Sequence, residues 1–242
     1  MILLSTCIAF ILLIVTYIKR ARTGDAQKLP SDSPAGSVGG VPSTFQPTRS
    51  DIYHTAFILS HFLPADLVPS ILDHAQYWHH IRLATATHPL HISEANAGTV
   101  YLSAQVPWSL APNALRALTF TTTSHDQGFS WDRAWHGTYE HSWTWFEVAV
   151  LATHSGGSSD QDAGVVNEPR KHIITNIHAD RNLKTHSVRW RYDDEDKQVR
   201  KIMQRAAARE TIALTVWARF PAWINSVSAA SIDAEVAAVT RL

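Results

Sequence analysis

The strongest strand signal in the chain is the segment SWTWFEVAVLAT, residues 142–153. Its even-numbered positions are mostly apolar and include Phe146 and Val148, whereas its odd-numbered positions carry Trp143, Trp145 and Glu147. A period of two is typical of a β-strand that has one face on a hydrophobic core. We therefore predict a strand here that buries the even-numbered side chains and turns both tryptophans away from the core.

Similar strand-like segments recur along the chain after residue 51. They lie near residues 80–87, 99–108, 115–124, 142–153, 171–179, 184–192, 211–220 and 229–240. Helical spacing of apolar residues occurs near 65–76 and again near 195–209. Many strands with few helices between them favour an antiparallel arrangement. The sequence thus predicts a mainly β domain, a β-sandwich or jelly roll of about eight strands, with one short helix before it and one near 195–209.

The composition excludes several classes of protein. The 242 residues carry 21 basic and 21 acidic side chains, so the chain lacks the basic excess of a nucleic-acid binder. Its one cysteine, Cys7, excludes an internal disulfide framework and a cysteine-rich zinc module. The 14 histidines form no HExxH motif, and their close pairs match chance at this frequency. We expect no nucleic-acid partner, no metal site and no cofactor.

The N-terminal segment indicates a membrane anchor. Residues Ile2 to Ile18 are uncharged, and Lys19, Arg20 and Arg22 follow them. Seventeen helical residues span roughly 26 Å, close to the lower limit for crossing a bilayer. Because the basic residues follow the apolar run and no small-x-small cleavage site appears, we favour an uncleaved single-pass helix over a cleaved signal peptide. The positive-inside rule then places the C-terminal domain in the cytosol.

This interpretation divides the chain into three parts. A transmembrane anchor with its basic flank occupies residues 1–22, and a flexible linker rich in Pro, Gly, Ser and Thr occupies residues 23–50. The predicted β-sandwich domain comprises residues 51–242.

The segment SHDQGFSWDRAWHGTYEHSWTWFE, residues 124–147, resembles the signature of a family of poorly characterised fungal β-sandwich proteins, which typically reads SHDQGWS, then GTY, then SWTWFE. The steps TNIHA (175–179), HSVRW (186–190) and ARFPAWIN (218–225) are similar to later motifs of that family. The chain departs from the pattern at Phe129, where Trp is usual, and at Ala222, where Gly is usual. The resemblance implies a sandwich fold and implies no particular activity.

A ligand site is predicted around Asp126 and on the outer faces of the predicted strands. Aromatic rings beside carboxylates are a common way to bind sugars or bases. If the strands concerned are neighbours, their outward side chains form one aromatic and charged face. The candidate ligand-binding residues are Asp126, Gln127, Trp131, Trp143, Trp145, Glu147, Arg189, Trp217 and Arg219. For the turn at Asp126, Gln127 and Gly128 a purely structural role is the favoured alternative, with Gly128 supplying a positive φ.

Three functions remain open from the sequence. The leading one is a membrane-anchored binding module for a glycan or a protein. The second is a small cyclase or hydrolase with acid–base groups drawn from Asp126, Glu140, His141 and Glu147. The third is an F-box-like adaptor, because the helical segment LPADLVPSILDHAQYW (63–78) also resembles the first helix of an F-box. A deep pocket with two converging titratable groups would indicate the enzyme, and further helices after the first would indicate the adaptor.

Overall fold

The computed structural model describes residues 46–111, 113–151 and 169–238. The predicted anchor (1–22), the predicted linker as far as residue 45 and the polar loop 154–164 lie outside these residues. Among the described helices, none has the length and apolar character needed to cross a membrane.

Nine strands form two antiparallel sheets. The strands are β1 (His79–Ala86), β2 (Leu90–Ile92), β3 (Thr99–Ala104), β4 (Leu115–His125), β5 (Thr144–Leu151), β6 (Arg170–Thr175), β7 (Lys184–Arg191), β8 (Thr211–Ala218) and β9 (Asn225–Val236). The first sheet has the order β1-β9-β4-β7, with β2 also paired to β9. The second sheet has the order β3-β8-β5-β6. The predicted mainly β, antiparallel fold is confirmed.

The hydrophobic core takes side chains from both sheets. Phe120 and Ile232 from the first sheet belong to the same buried cluster as Phe146, Val148 and Leu214 from the second. All five are inaccessible to solvent. The even-numbered face of β5 is therefore the core face, as its alternation predicts, and the shared cluster supports the β-sandwich prediction.

Three helices accompany the sheets: α1 (Arg49–Ser60), α2 (Leu67–His74) and α3 (Lys197–Ala207). The last two confirm the helices predicted near 65–76 and 195–209. Asp196 is the N-cap of helix α3, and its carboxylate accepts hydrogen bonds from the backbone N–H groups of Gln198 and Val199. Such an N-cap satisfies donors that have no partner inside the helix.

Helix α1 was not predicted, and it begins within the last residues of the predicted linker. Thr48 is its N-cap: the Thr48 hydroxyl accepts from the Asp51 N–H, and the Asp51 carboxylate accepts from the Thr48 N–H at 2.9 Å. This reciprocal capping box stops the helix from fraying. The T-x-x-D spacing was visible in the sequence, but the Pro- and Gly-rich residues before it obscured the boundary.

The chain divides into two compact units. One contains the described residues up to His80 together with Ala237 and Ala238, and its own apolar cluster is built from α1 and α2 around Ile52, Leu59 and Val68. The other unit spans Ile81–Val236 and contains the core of the two sheets. Along the chain, α2 is followed directly by β1.

Candidate functional site

The outer face of the second sheet carries a row of parallel rings. Trp145 on β5 and Trp217 on β8 are register partners, and their ring centroids lie 5.9 Å apart with an angle of 10° between the planes. His172 on β6 extends the row on the other side of Trp145, at 6.2 Å and 12°. We call His172, Trp145 and Trp217 the aromatic row. It crosses three adjacent strands.

Hydrogen bonds fix both indole rings in the same direction. The Trp145 Nε1–H donates to Glu147 Oε1 at 3.0 Å, and the Trp217 Nε1–H donates to Thr215 Oγ1 at 2.9 Å. Glu147 and Thr215 are register partners on antiparallel strands. Both rings therefore extend along their strands toward the Glu147–Thr215 pair. The Thr215 hydroxyl also donates to the Glu147 carbonyl at 3.1 Å.

A β-bulge brings β6 side chains into this face. Phe146 pairs with Ile174, but the next residue, Glu147, pairs with His172, so Ile173 is skipped. Directly paired residues of antiparallel strands point to the same side of the sheet. The bulge therefore turns His172 and Arg170 to the outer face.

An open pocket of about 280 Å³ lies at the Trp217 end of the row. It is lined by Ala97, Gly98, Glu147, Ala149, Arg170, Thr215 and Trp217. Gly98 has a φ of +85°, and a Cβ at this position would lie 3.1 Å from the Trp217 ring. Only glycine adopts this conformation readily while allowing the backbone to approach the ring so closely.

Glu147 and Arg170 supply opposite charges to the pocket. Arg170 Nε lies 4.0 Å from Glu147 Oε2, and the Arg170 guanidinium carbon lies 5.6 Å from the centroid of Trp217. Glu147 Oε2 is buried and accepts no hydrogen bond from any described residue. Burial lowers the pKa of His172, although the charge of Glu147 opposes that shift. The lowered pKa favours the uncharged form of His172, so Glu147 and Arg170 supply the two opposite charges of the pocket.

The Asp126 turn is a second polar centre, and its contacts are internal. Asp126 is fully buried, and its carboxylate accepts from the N–H groups of Gly128 at 2.7 Å and Ala179 at 2.6 Å. Gly128 has a φ of +74°. Burial raises the pKa of Asp126 above its ordinary value, against the lowering effect of the two N–H donors. These contacts tie the end of β4 to the loop after β6, as the structural interpretation of the turn expects.

A buried network beside this turn accounts for further motif residues. Asn176 accepts from the Ser124 hydroxyl at 2.7 Å and donates to Thr144 Oγ1 at 3.0 Å and to Asn225 Oδ1 at 2.9 Å. Asn225 in turn donates to the carbonyls of Trp145 and Trp217. These side chains come from both sheets, so the network joins the sheets at one end of the core.

The remaining predicted residues lie on the connecting loops. Gln127 donates to the Phe129 carbonyl, and Trp131 is 89% exposed with Phe129 packed edge-on against it. Trp143 contacts Phe220, and the guanidinium of Arg219 lies over both rings.

The four acid–base candidates are not brought together in the pocket. Asp126 is enclosed by backbone donors, whereas Glu140 and His141 are exposed on the loop before β5. His141 stacks on Trp135. Of these candidates, Glu147 alone lines the pocket.

The expectation that Arg189 shares a face with the tryptophans is wrong. Arg189 lies on β7 of the first sheet, and it donates two hydrogen bonds of 2.8 Å to the carboxylate of Glu235 on β9. Alternation along a strand tells which side chains point outward but not which sheet the strand joins. Sequence reasoning also missed Gly98, Arg170, His172 and Thr215, which carry no motif.

Within the described ranges, no three histidine, cysteine or acidic side chains come together to hold a metal ion. No protein-family model and no curated protein matches this chain.

Proposed function

We propose that the chain is a membrane-anchored binding module that holds a glycan on the outer face of its second sheet. The observation that carries the proposal is the aromatic row beside a pocket containing Glu147 and Arg170. A sugar ring has apolar C–H faces and a rim of hydroxyl groups. Fixed indole rings suit the faces, and charged hydrogen-bonding groups suit the rim.

The proposal also includes a jelly-roll fold, membership of the fungal β-sandwich family and a single-pass membrane anchor. The described strands form one sheet of five strands and one of four, and six of the eight connections between successive strands cross from one sheet to the other, which supports the jelly-roll form. Membership of the fungal β-sandwich family rests on the signature at 124–147. The apolar run 2–18 would anchor the protein in a single pass, with the domain in the cytosol.

Two observations favour the binding module over its rivals. A hydrolase or cyclase of the kind considered needs two titratable groups that converge on a substrate, and Asp126, Glu140 and His141 do not line the pocket with Glu147. An F-box-like adaptor needs further helices after α2, and β1 follows instead.

A glycan array probed with the full chain tests the proposal. The protein should be held in a detergent without a sugar headgroup, because a glycosidic detergent would compete for the site. We expect binding to a subset of glycans and its loss in Trp145→Ala. Trp108→Ala, which removes an indole that is 76% exposed and does not line the pocket, is the matched control and should bind normally. A blank array with protein of native circular dichroism would refute the glycan ligand.

The topology is tested separately by protease protection in sealed microsomes. A cytosolic domain is digested from outside. Protection of the domain would place it in the lumen.

A further inference from the structure

The pocket beside Trp217 also restricts which sugars fit it. We infer that it selects an uncharged pyranose ring whose neighbouring hydroxyl groups are recognised by Glu147 and Arg170 together; this inference rests on the glycan-binding function proposed above. Three features of the pocket support the inference: its size, the hydrogen-bonding groups of the two side chains that the fold leaves unused, and their opposite charges.

The size and lining of the pocket suit one ring. Its volume of about 280 Å³ is slightly below the ~300 Å³ at which pockets for drug-sized ligands begin. Trp217 forms an aromatic wall, Gly98 lines the pocket in close contact with that ring, and Ala97 and Ala149 add only methyl groups to the lining. A pyranose can place its C–H face on the indole and keep its hydroxyl groups toward the charged pair.

The charged pair has capacity that the fold does not use. Glu147 Oε1 accepts a hydrogen bond from the Trp145 indole, whereas Oε2 accepts none from a described residue. Burying a carboxylate oxygen without a donor is unfavourable, and the Glu147 side chain is only 17% exposed. An incoming hydroxyl group would correct this deficit.

The spacing of the pair fits a hydroxyl group between them. The 4.0 Å from Arg170 Nε to Glu147 Oε2 is longer than a direct charge-assisted hydrogen bond. Because Oε2 exposes almost no surface as the side chains stand, the half-exposed Arg170 guanidinium must move aside to admit an oxygen atom that lies ~2.8 Å from both atoms. A hydroxyl group there donates to the carboxylate and accepts from the guanidinium. The guanidinium has further donors for the adjacent hydroxyl.

The charges of the pocket disfavour charged sugars. Because Glu147 and Arg170 lie side by side with opposite charges, the carboxylate of a uronic acid or the ammonium of a glucosamine gains no net attraction that would offset its loss of hydration. Burial lowers the pKa of His172 beside them, which favours its uncharged form. A neutral hexose has no ionic group to dehydrate and still forms hydrogen bonds with both side chains.

Titration calorimetry with defined hexasaccharides tests this selectivity. The probes are neutral glucose and mannose hexamers of different linkage, a hexagalacturonate and a fully deacetylated hexaglucosamine, each added to the full chain in a detergent without sugar. We expect a neutral hexamer to bind at least tenfold more tightly than either charged one. Tighter binding of a charged hexamer would overturn the inference.

Charge-removing variants locate the selectivity in the pocket. Glu147→Gln keeps an acceptor for Trp145, and Arg170→Gln removes the guanidinium; each should weaken the neutral hexamer at least tenfold. Each variant should also bind one charged hexamer more tightly than the wild type does. Glu147→Gln should bind the hexagalacturonate more tightly, and Arg170→Gln should bind the hexaglucosamine more tightly. Such gains cannot come from misfolding. Arg133→Gln, on the exposed loop after β4, is the control and should change nothing.

The outcomes separate this inference from the function on which it rests. If no saccharide binds to folded protein on the array or in the calorimeter, the glycan-binding function itself fails. If a neutral hexamer binds and Trp145→Ala abolishes it, but Glu147→Gln and Arg170→Gln bind like the wild type, the function survives and recognition by this charged pair is refuted.

Discussion

Trp145 and Trp217 lie directly opposite each other on antiparallel strands, and each indole N–H is held by a side chain two positions away on its own strand. The two rings are consequently parallel within 10° before any ligand arrives. A surface that is already ordered loses little conformational freedom on binding. The second sheet thus offers a preformed aromatic surface.

The contact between the two rings should be measurable in a double-mutant cycle. We expect Trp145→Ala and Trp217→Ala to destabilise the fold less in combination than the sum of their separate effects, by about 0.5–1.5 kcal/mol, since the centroid distance is within the range of interacting aromatic pairs. Urea unfolding measures each free energy. Trp131→Ala combined with Trp145→Ala serves as the control pair. Full additivity of the Trp145 and Trp217 changes would show that the rings do not interact.

Gly98 should prove essential for the position of Trp217. Gly98→Ala imposes a left-handed conformation on alanine, at about 1–2 kcal/mol, and pushes a methyl group against the indole. Gly137→Ala has a similar φ of +77° and no atom within 4 Å of its Cβ, so it isolates the backbone effect. We expect Gly98→Ala to unfold at lower urea and to bind the array glycans more weakly than Gly137→Ala. Identical behaviour of the two variants would refute this role of Gly98.

Asn176 should be among the most sensitive polar positions in the core. Asn176→Ala leaves the Ser124 hydroxyl and the Asn225 amide oxygen buried without their partner, and each such group costs about 1–3 kcal/mol. We expect a total loss of about 3 kcal/mol in the free energy of unfolding. Asn182→Ala, which removes an exposed contact with Asp180, should lose no more than about 0.5 kcal/mol. A loss below about 1 kcal/mol in Asn176→Ala would mean that water replaces the network.

Asp126 should make stability depend on pH in the direction opposite to an ion-paired carboxylate. Because burial raises its pKa, the folded protein holds this proton more tightly than the unfolded chain. The resulting stabilisation is complete below the ordinary pKa of 3.8 and is lost as the pH rises through the folded value. Asp126→Asn lacks this dependence but loses one acceptor for Gly128 or Ala179. Its destabilisation relative to the wild type should therefore be largest in acid and smaller at pH 7, as urea unfolding across that range would reveal. A destabilisation that grows with pH would contradict the raised pKa.

Local patterns predicted the strands and their faces, but not which strands are neighbours. The alternation around Phe146 was sufficient because most inward positions, among them Val148 and Val150, are apolar. Strand β2 was not predicted, since the three residues Leu90–Ile92 are too few to show a period. The pocket depends on the bulge that pairs Glu147 with His172, and the placement of Arg189 depends on which sheet β7 joins. The spacing of side chains along a single strand predicts neither the bulge nor the sheet that a strand joins.

Strand β9 imposes an order on the biogenesis of the fold. It lies between β1 and β4 in the first sheet and is the last of the nine strands found in the described residues. During synthesis on the ribosome, the edges of β1 and β4 that pair with β9 therefore lack their hydrogen-bond partners until residues 225–236 emerge. Pairings between such distant segments form slowly, and waiting edges are exposed to association with other chains. The native first sheet should accordingly form only after β9 has been synthesised. Chaperones that cover strand edges can bind the chain before that point.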